Sequence, residues 1–245
     1  MSDSLDARRR LLVTAGVASA GLLLAATDAS GVLAADPARR EKDDDKEVSA
    51  VEDLMREHGV LRRALLVYRE SATKLRGDPA SIDPKALYQT AVLFRTFGED
   101  YHERKLEEPY IFPAVSKVGG TAASYVDVLI AQHNRGREIT DYVLAVTGKG
   151  AIGTGNAEPL ARVFDTMDLM YENHAAREDT IVFPAWKDAL SARQLHEMSE
   201  KFEEIEHQLF GKDGFEDAVE KIGQVEQMLG FADLDRYTAP PPPQW

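Results

Sequence analysis

Apolar residues recur at helical spacing along most of the chain, and strict alternation of apolar and polar residues is almost absent. The pattern predicts long helices over about 47–76, 84–115, 120–147 and 157–188. Gly77-Asp78-Pro79 and Asp83-Pro84 end the first and start the second, with Pro84 in a first turn. Gly119-Gly120 separates the second from the third, and a glycine-rich loop over 148–156 precedes the fourth. Long helices on short loops pack antiparallel, so the fold class expected is all-α, an up-down-up-down four-helix bundle over 47–188. Additional C-terminal helices follow within 189–232, over about 192–210 behind the cap Ser191 and over 215–229 between Gly214 and Gly230. A stiff Pro-rich tail, 233–245, ends the chain.

The N-terminus breaks this pattern. Arg8-Arg9-Arg10 precedes an uncharged run from Leu11 to Ala26, and Val32-Leu33-Ala34-Ala35 has small residues at cleavage-type spacing. Residues 1–35 are read as an export signal, and the arginine pair before Leu11-Leu12 resembles a twin-arginine signal. An uncleaved anchor is the alternative. Residues 36–46 form a charged linker. The expected location is the periplasm, or outside the cytoplasm more generally, with no membrane association once the signal is removed.

Composition narrows the chemistry. A net charge of −13 argues against a nucleic-acid partner, which needs a basic face. With no cysteine, disulfides, thiolate-held clusters and a cysteine nucleophile are excluded, so any metal is held by histidine and carboxylate.

An internal repeat supplies the candidates. Glu107-Glu108-Pro109-Tyr110-Ile111-Phe112-Pro113 matches Glu178-Asp179-Thr180-Ile181-Val182-Phe183-Pro184, 71 positions on, with His102 and His174 just upstream. Glu57-His58 and Gln132-His133 stand 75 positions apart in the partner helices. At a rise of about 1.5 Å per residue, His58, His102, His133 and His174 all lie about 16–21 Å from one end of the bundle. His174 and Glu178 are four apart and share a helix face, as do Glu103 and Glu107. His102 and Glu107 are five apart, too wide for one face of a regular helix. Either Glu103 is the ligand beside His102, or a π-bulge tightens the turn. A buried network of neutral histidines is the structural alternative, though burying three carboxylates without a cation would be costly. His196 and His207 fall outside the repeat, and Glu108 is read as lying outside the centre. Imidazole and carboxylate without sulfur suit iron, manganese or zinc, and seven candidate ligands suit two ions.

These residues resemble the hemerythrin-like, or HHE, cation-binding domain over about 50–188: Glu57-His58, His102-Glu103, Glu107-Glu108 before Phe112-Pro113, Gln132-His133, and His174 with Glu178-Asp179 before Phe183-Pro184. The resemblance implies a non-haem site of two iron ions, ahead of manganese or zinc. It implies His58, His102, His133 and His174 as ligands and Glu107 and Glu178 as bridging carboxylates, with Glu103 matching a carboxylate ligand of some branches. Oxygen-carrying hemerythrins have five imidazoles, whereas this bundle offers four. A carboxylate in place of the fifth favours the ferric state over reversible oxygen carriage.

The function expected is binding of, or reaction with, a small oxidant such as oxygen, peroxide or nitric oxide. An oxidase- or peroxidase-type activity is left open. The alternative is an iron-binding, storage or sensing module without turnover. The sequence names neither an electron donor nor a protein partner. Replacing Arg8, Arg9 and Arg10 together by Lys keeps the charge and should block a twin-arginine route. Fractionation of cells expressing that variant tests this, and unimpaired export would assign the general secretory route.

Overall fold

The computed structural model describes residues 48–243. The stretches expected to form an export signal, 1–35, and a charged linker, 36–46, lie outside the described residues. Among those described there is no strand, and no helix is long and apolar enough to cross a membrane.

Helix α1, Ala50–Gly77, starts where Ser49 caps the Glu52 N–H, carries Glu52 and Asp53 in its first turn, and has Lys74 and Arg76 in its last. Helix α2 is one rod in three pieces: α-helical over Pro84–Leu93, π-helical over Phe94–Ile111 and α-helical again over Phe112–Val118. Gly119 and Gly120 then take positive φ, 78° and 76°, a conformation that glycine adopts without strain. The third helix, expected from 120, is interrupted. A single turn, Gly120–Ala123, precedes α3, Val126–Thr147. Helix α4 is α-helical over Thr154–Arg177, π-helical over Glu178–Val182 and α-helical over Phe183–Asp188. Consecutive helices pack side by side and α4 closes the ring against α1, which is the up-down-up-down bundle.

Both π segments end at the repeated Phe-Pro. Proline cannot donate the regular i→i−4 bond, and its ring crowds the carbonyl four residues back. The preceding phenylalanine donates one step further, Phe112 to the Glu107 carbonyl and Phe183 to the Glu178 carbonyl. The repeated motif thus marks where each wide-wound segment ends, just after its carboxylate.

The core is aromatic: Tyr68, Phe94, Phe97, Phe112, Phe164, Phe183 and Trp186 are fully buried or nearly so, and Tyr68 stacks on Phe164 at 4.4 Å. Helix α5, Ala192–Phe210, opens with the Ser191–Gln194 capping box. Helix α6, Gly214–Leu229, is capped by Asp213. Each ends at a left-handed glycine, Gly211 and Gly230. Helix α5 lies on α1 and on the π segment of α2, while α6 lies on α1 and the start of α2. Phe202 stacks on Trp186, Phe210 packs against Phe97 and Tyr101, and Arg63 makes a two-pronged bond to Glu226. Helix α5 completes the core over the end of the bundle that holds the repeat motifs, and α6 covers the α1–α2 face toward the other end.

Phe202 is 3% exposed. Phe202→Ala should therefore lower unfolding free energy by about 3–5 kcal/mol, the usual cost of emptying a buried aromatic site. Denaturant unfolding monitored by circular dichroism reads the change.

Candidate metal centre

The four repeat histidines meet inside the bundle, all buried. Each ring is oriented by its Nδ1. His58 Nδ1 lies 2.7 Å from Asp179, His102 Nδ1 2.6 Å from Glu57, His133 Nδ1 3.0 Å from Glu108 and His174 Nδ1 2.9 Å from the Gln132 side-chain oxygen. Those oxygens accept, so each Nδ1–H donates and each Nε2 is left facing inward. His102 Nε2 and His133 Nε2 both stand 3.3 Å from Glu107. His174 Nε2 and His58 Nε2 stand 3.0 and 3.4 Å from Glu178. The Nε2 atoms of His133 and His174 are 3.1 Å apart.

The arrangement has a pseudo-twofold axis. In each half the residue before the odd-helix histidine (Glu57, Gln132) holds the even-helix histidine of its own half. The residue after the even-helix carboxylate (Glu108, Asp179) holds the odd-helix histidine of the other half. A third layer follows the same symmetry. Arg62 bonds Asp179, and Arg137, 75 positions later, bonds Glu108.

Glu107 and Glu178 are fully buried, and all four of their side-chain oxygens lack a hydrogen-bond partner, as does His102 Nε2. Unsatisfied acceptors at this density are costly in a dry interior, and a cation between them removes that cost. Three overlapping groups among the described residues have the spacing for one: Glu107, His133, His174 and Glu178; His58, His102 and Glu107; and Glu103, Glu108 and His133. An all-imidazole and carboxylate set fits a divalent iron-type ion.

Glu103 sits differently. Its carboxylate accepts from Arg137 at 3.0 Å and from Tyr171 at 2.9 Å, and its nearest histidine contact is 3.9 Å, to His133 Nδ1. The π turn brings Glu107 one turn from His102, since residues five apart align in an i→i+5 helix. Glu103 instead lines the edge of the centre. Glu108, read from sequence as outside the centre, is the hydrogen-bond partner that holds His133. Glu57, Gln132, Glu108 and Asp179 were missed as orienting groups, although every one of them adjoins a ligand inside the repeat. His196 and His207 are exposed on α5.

Protonation follows the geometry. Burial opposes charge on His102 and His133, yet Glu107 with Glu57 raises the first well above its ordinary value, and Glu103, Glu107 and Glu108 raise the second to about 10. Burial likewise opposes charge on Glu107, but the His102 and His133 imidazoles hold it well below the usual carboxylate range. Without a cation, protons take its place, and loading must displace them.

Phe183 stacks on His58 and Phe112 on His133, at 5.3 and 5.5 Å, which keeps water from the rings. A cavity of about 10 Å³ adjoins the centre, lined by Leu61, Leu65 and Ala175 together with His58, His102, His174 and Glu103. Its size is that of one ion or one water.

The family model described as the hemerythrin HHE cation-binding domain matches residues 49–186. Uncharacterised proteins of Mycobacterium bovis and of the H37Rv and CDC 1551 strains of Mycobacterium tuberculosis are each 46% identical over 192 residues, covering 78% of this chain and 74% of theirs. No solved structure matches the chain.

Because Glu108 fixes the ring of His133, Glu108→Ala should weaken divalent-metal affinity by about 10–100-fold, the usual effect of losing an orienting partner. His207→Ala should leave it unchanged. Competition against a metal-binding dye compares the two.

Proposed function

The chain belongs to the hemerythrin HHE cation-binding family, and from that premise we propose that it is an exported, non-haem di-iron protein that binds or reacts with oxygen, peroxide or nitric oxide. The observation that carries this reading is the convergence of four Nε2 atoms on two buried carboxylates whose oxygens have no other partner. On this reading His58 and His102 would hold one iron and His133 and His174 the other, with Glu107 and Glu178 serving both. When bound, the irons supply one-electron redox chemistry toward a small oxidant.

The remaining work falls to the chain. Asp179, Glu57, Glu108 and Gln132 fix the imidazole planes and keep each Nε2 free of a proton when a cation is present. Phe112 and Phe183 exclude water from the rings. The small cavity has no room for an organic substrate and restricts the ligand to a few atoms. Glu103, held by Tyr171 Oη–H and Arg137, closes the edge of the centre beside His133. Export rests on Arg8-Arg9-Arg10 and the uncharged run after them. A twin-arginine route carries folded cargo, which suits a centre assembled inside a closed bundle.

Protein purified from its own host should contain two irons per chain, and the reduced form should be oxidised on mixing with oxygen. Glu178→Ala should lower iron content at both positions, since that carboxylate touches histidines of both groups. Metal analysis with a stopped-flow spectrum measures both. Stoichiometric zinc, or the return of unreacted oxygen and the reduced spectrum under argon, would overturn the reading.

A further inference from the structure

One fully buried carboxylate of the bundle has no part in the centre. Glu99 lies on the π segment of α2, with Glu103 midway between it and Glu107. Thr140 donates to its Oε1 at 2.6 Å, and Arg95 Nε stands 2.9 Å from its Oε2. Arg95 is 20% exposed and reaches on to Asp141, 73% exposed, at 2.6 Å. One guanidinium thus links this interior acid to the solvent face of the α2–α3 seam. A glutamine would keep the Thr140 bond without the cost of burying an ionisable acid. Around Glu99 stand Tyr68 of α1, Arg95 and Glu103 of α2, Arg137 of α3 and Tyr171 of α4. Burial, with the charge of Glu103, outweighs Thr140, Arg95 and Arg137 and pushes Glu99 up to about 7. It therefore gains and loses its proton near neutral pH, where a proton-transfer group works best.

The cavity beside the centre is where such a group is needed. Reduction of one peroxide to two waters takes up two protons with two electrons, and on the di-iron reading the electrons come from the metals. The imidazoles cannot bring those protons in. Each Nδ1–H is donated outward and each Nε2 is taken once an ion is bound, so no ring has a free nitrogen to pass a proton on. Arg62 also lines the cavity, but its guanidinium keeps its proton at any physiological pH. What is left on the wall is the polar edge of Glu103 and Tyr171, joined at 2.9 Å. Glu99 stands behind that edge, four residues before Glu103 and buried like it.

We propose that Glu99 is the proton relay of the closed bundle: it takes protons from water at the Arg95–Asp141 end of the α2–α3 seam and passes them to the cavity across the Glu103–Tyr171 edge. This rests on the reading of a di-iron protein that reacts with an oxidant. In each transfer the Glu99 O–H bond breaks and its proton moves toward the cavity. The carboxylate left behind is held by Thr140 and Arg95 until water on the Asp141 side protonates it again. Glu99 is neither among the cavity residues nor among the groups spaced for an ion, so its replacement should leave metal content in place.

The test mixes the reduced, iron-loaded full chain with hydrogen peroxide in a stopped flow, with a pH-indicator dye reporting proton uptake. Glu99→Gln should slow the uptake at least about 10-fold with iron content unchanged, since a positioned acid contributes that much or more. Glu99→Asp, which restores an acid, should recover part of the rate. In the wild type the rate should fall as pH rises through about 7, because only protonated Glu99 delivers, and Glu99→Gln should lack that inflection. A second readout needs no iron. In the metal-free chain the infrared C=O band of a buried protonated carboxyl should titrate with a midpoint of about 7 and vanish in Glu99→Gln. A wild-type rate and pH profile in Glu99→Gln, or the absence of that band, overturns the relay and leaves the di-iron reading intact. Equal slowing in Glu99→Asp and Glu99→Gln with an unchanged pH profile makes Glu99 a structural residue and also overturns it. A chain that takes up no iron, or whose reduced form ignores peroxide, overturns the di-iron reading and the relay with it.

Discussion

Everything in this bundle is arranged around two carboxylates that have no hydrogen-bonding partner. Glu107 and Glu178 lie fully buried, facing imidazole nitrogens and each other. Removing an ionised carboxylate from water without compensation costs several kcal/mol even after the surroundings relax. Compensation has to come from positive charge, either protons on the imidazoles or a cation between them. The raised His102 and His133 and the depressed Glu107 are the proton-loaded form of that balance. A cation supplies the same charge in one place and leaves the Nδ1 bonds untouched, so the scaffold need not change when the cation replaces protons.

That demand reaches the backbone. A carboxylate five residues after its histidine shares a face with it only where the helix is wound wider than normal, and α2 is π-helical through His102 and Glu107. In α4 the spacing is four and the π segment begins only at Glu178. The one-residue difference between the repeats is therefore absorbed by helix type, and both carboxylates arrive at equivalent places. The C-terminal helices contribute from outside. Phe210 packs on Tyr101, whose hydroxyl donates to Glu57 at 2.9 Å, and Glu57 in turn holds His102.

Much of this was legible in the sequence, because the repeat and the level of the four histidines depend only on helical rise and on where glycine and proline break the chain. Ser191, Gly214 and Gly230 likewise marked the C-terminal helices to within a residue or two. The ligand in α2 was not decidable from spacing. Glu103 and Glu107 are both plausible until the helix type is known, and the π winding is what turns Glu107 inward and Glu103 toward Arg137. The orienting residues were hidden for another reason. Asp179 serves a histidine 121 positions away and Glu108 one 25 positions away, pairings that depend on how two helices are rotated against each other. No single-helix periodicity contains that rotation. The sharper signal was adjacency, since each of the four orienting groups stands next to a ligand in both copies of the motif.

What distinguishes the halves is the departure from their shared plan. On the α3 side Thr140 donates to the buried Glu99 at 2.6 Å, Arg95 flanks that carboxylate, and burial pushes it up to about 7 despite the Thr140 bond. Gly136 is bare on this side because a Cβ there would sit 1.9 Å from the Tyr171 hydroxyl, which could then not reach Glu103. The same positions on the α1 side are leucines, and Ala175 replaces the carboxylate. A symmetric centre would present a small molecule with two equivalent approaches. Here one wall is hydrogen-bonded and the other apolar, and the small cavity lies where they meet, with Leu61, Leu65 and Ala175 on one side and Glu103 and Tyr171 on the other. An uncharged ligand of a few atoms loses no hydrogen bonds in crossing an apolar wall, while an ion or a large polar molecule does. The broken repeat therefore gives the centre two unlike walls, and it does so with the same residues that close the core.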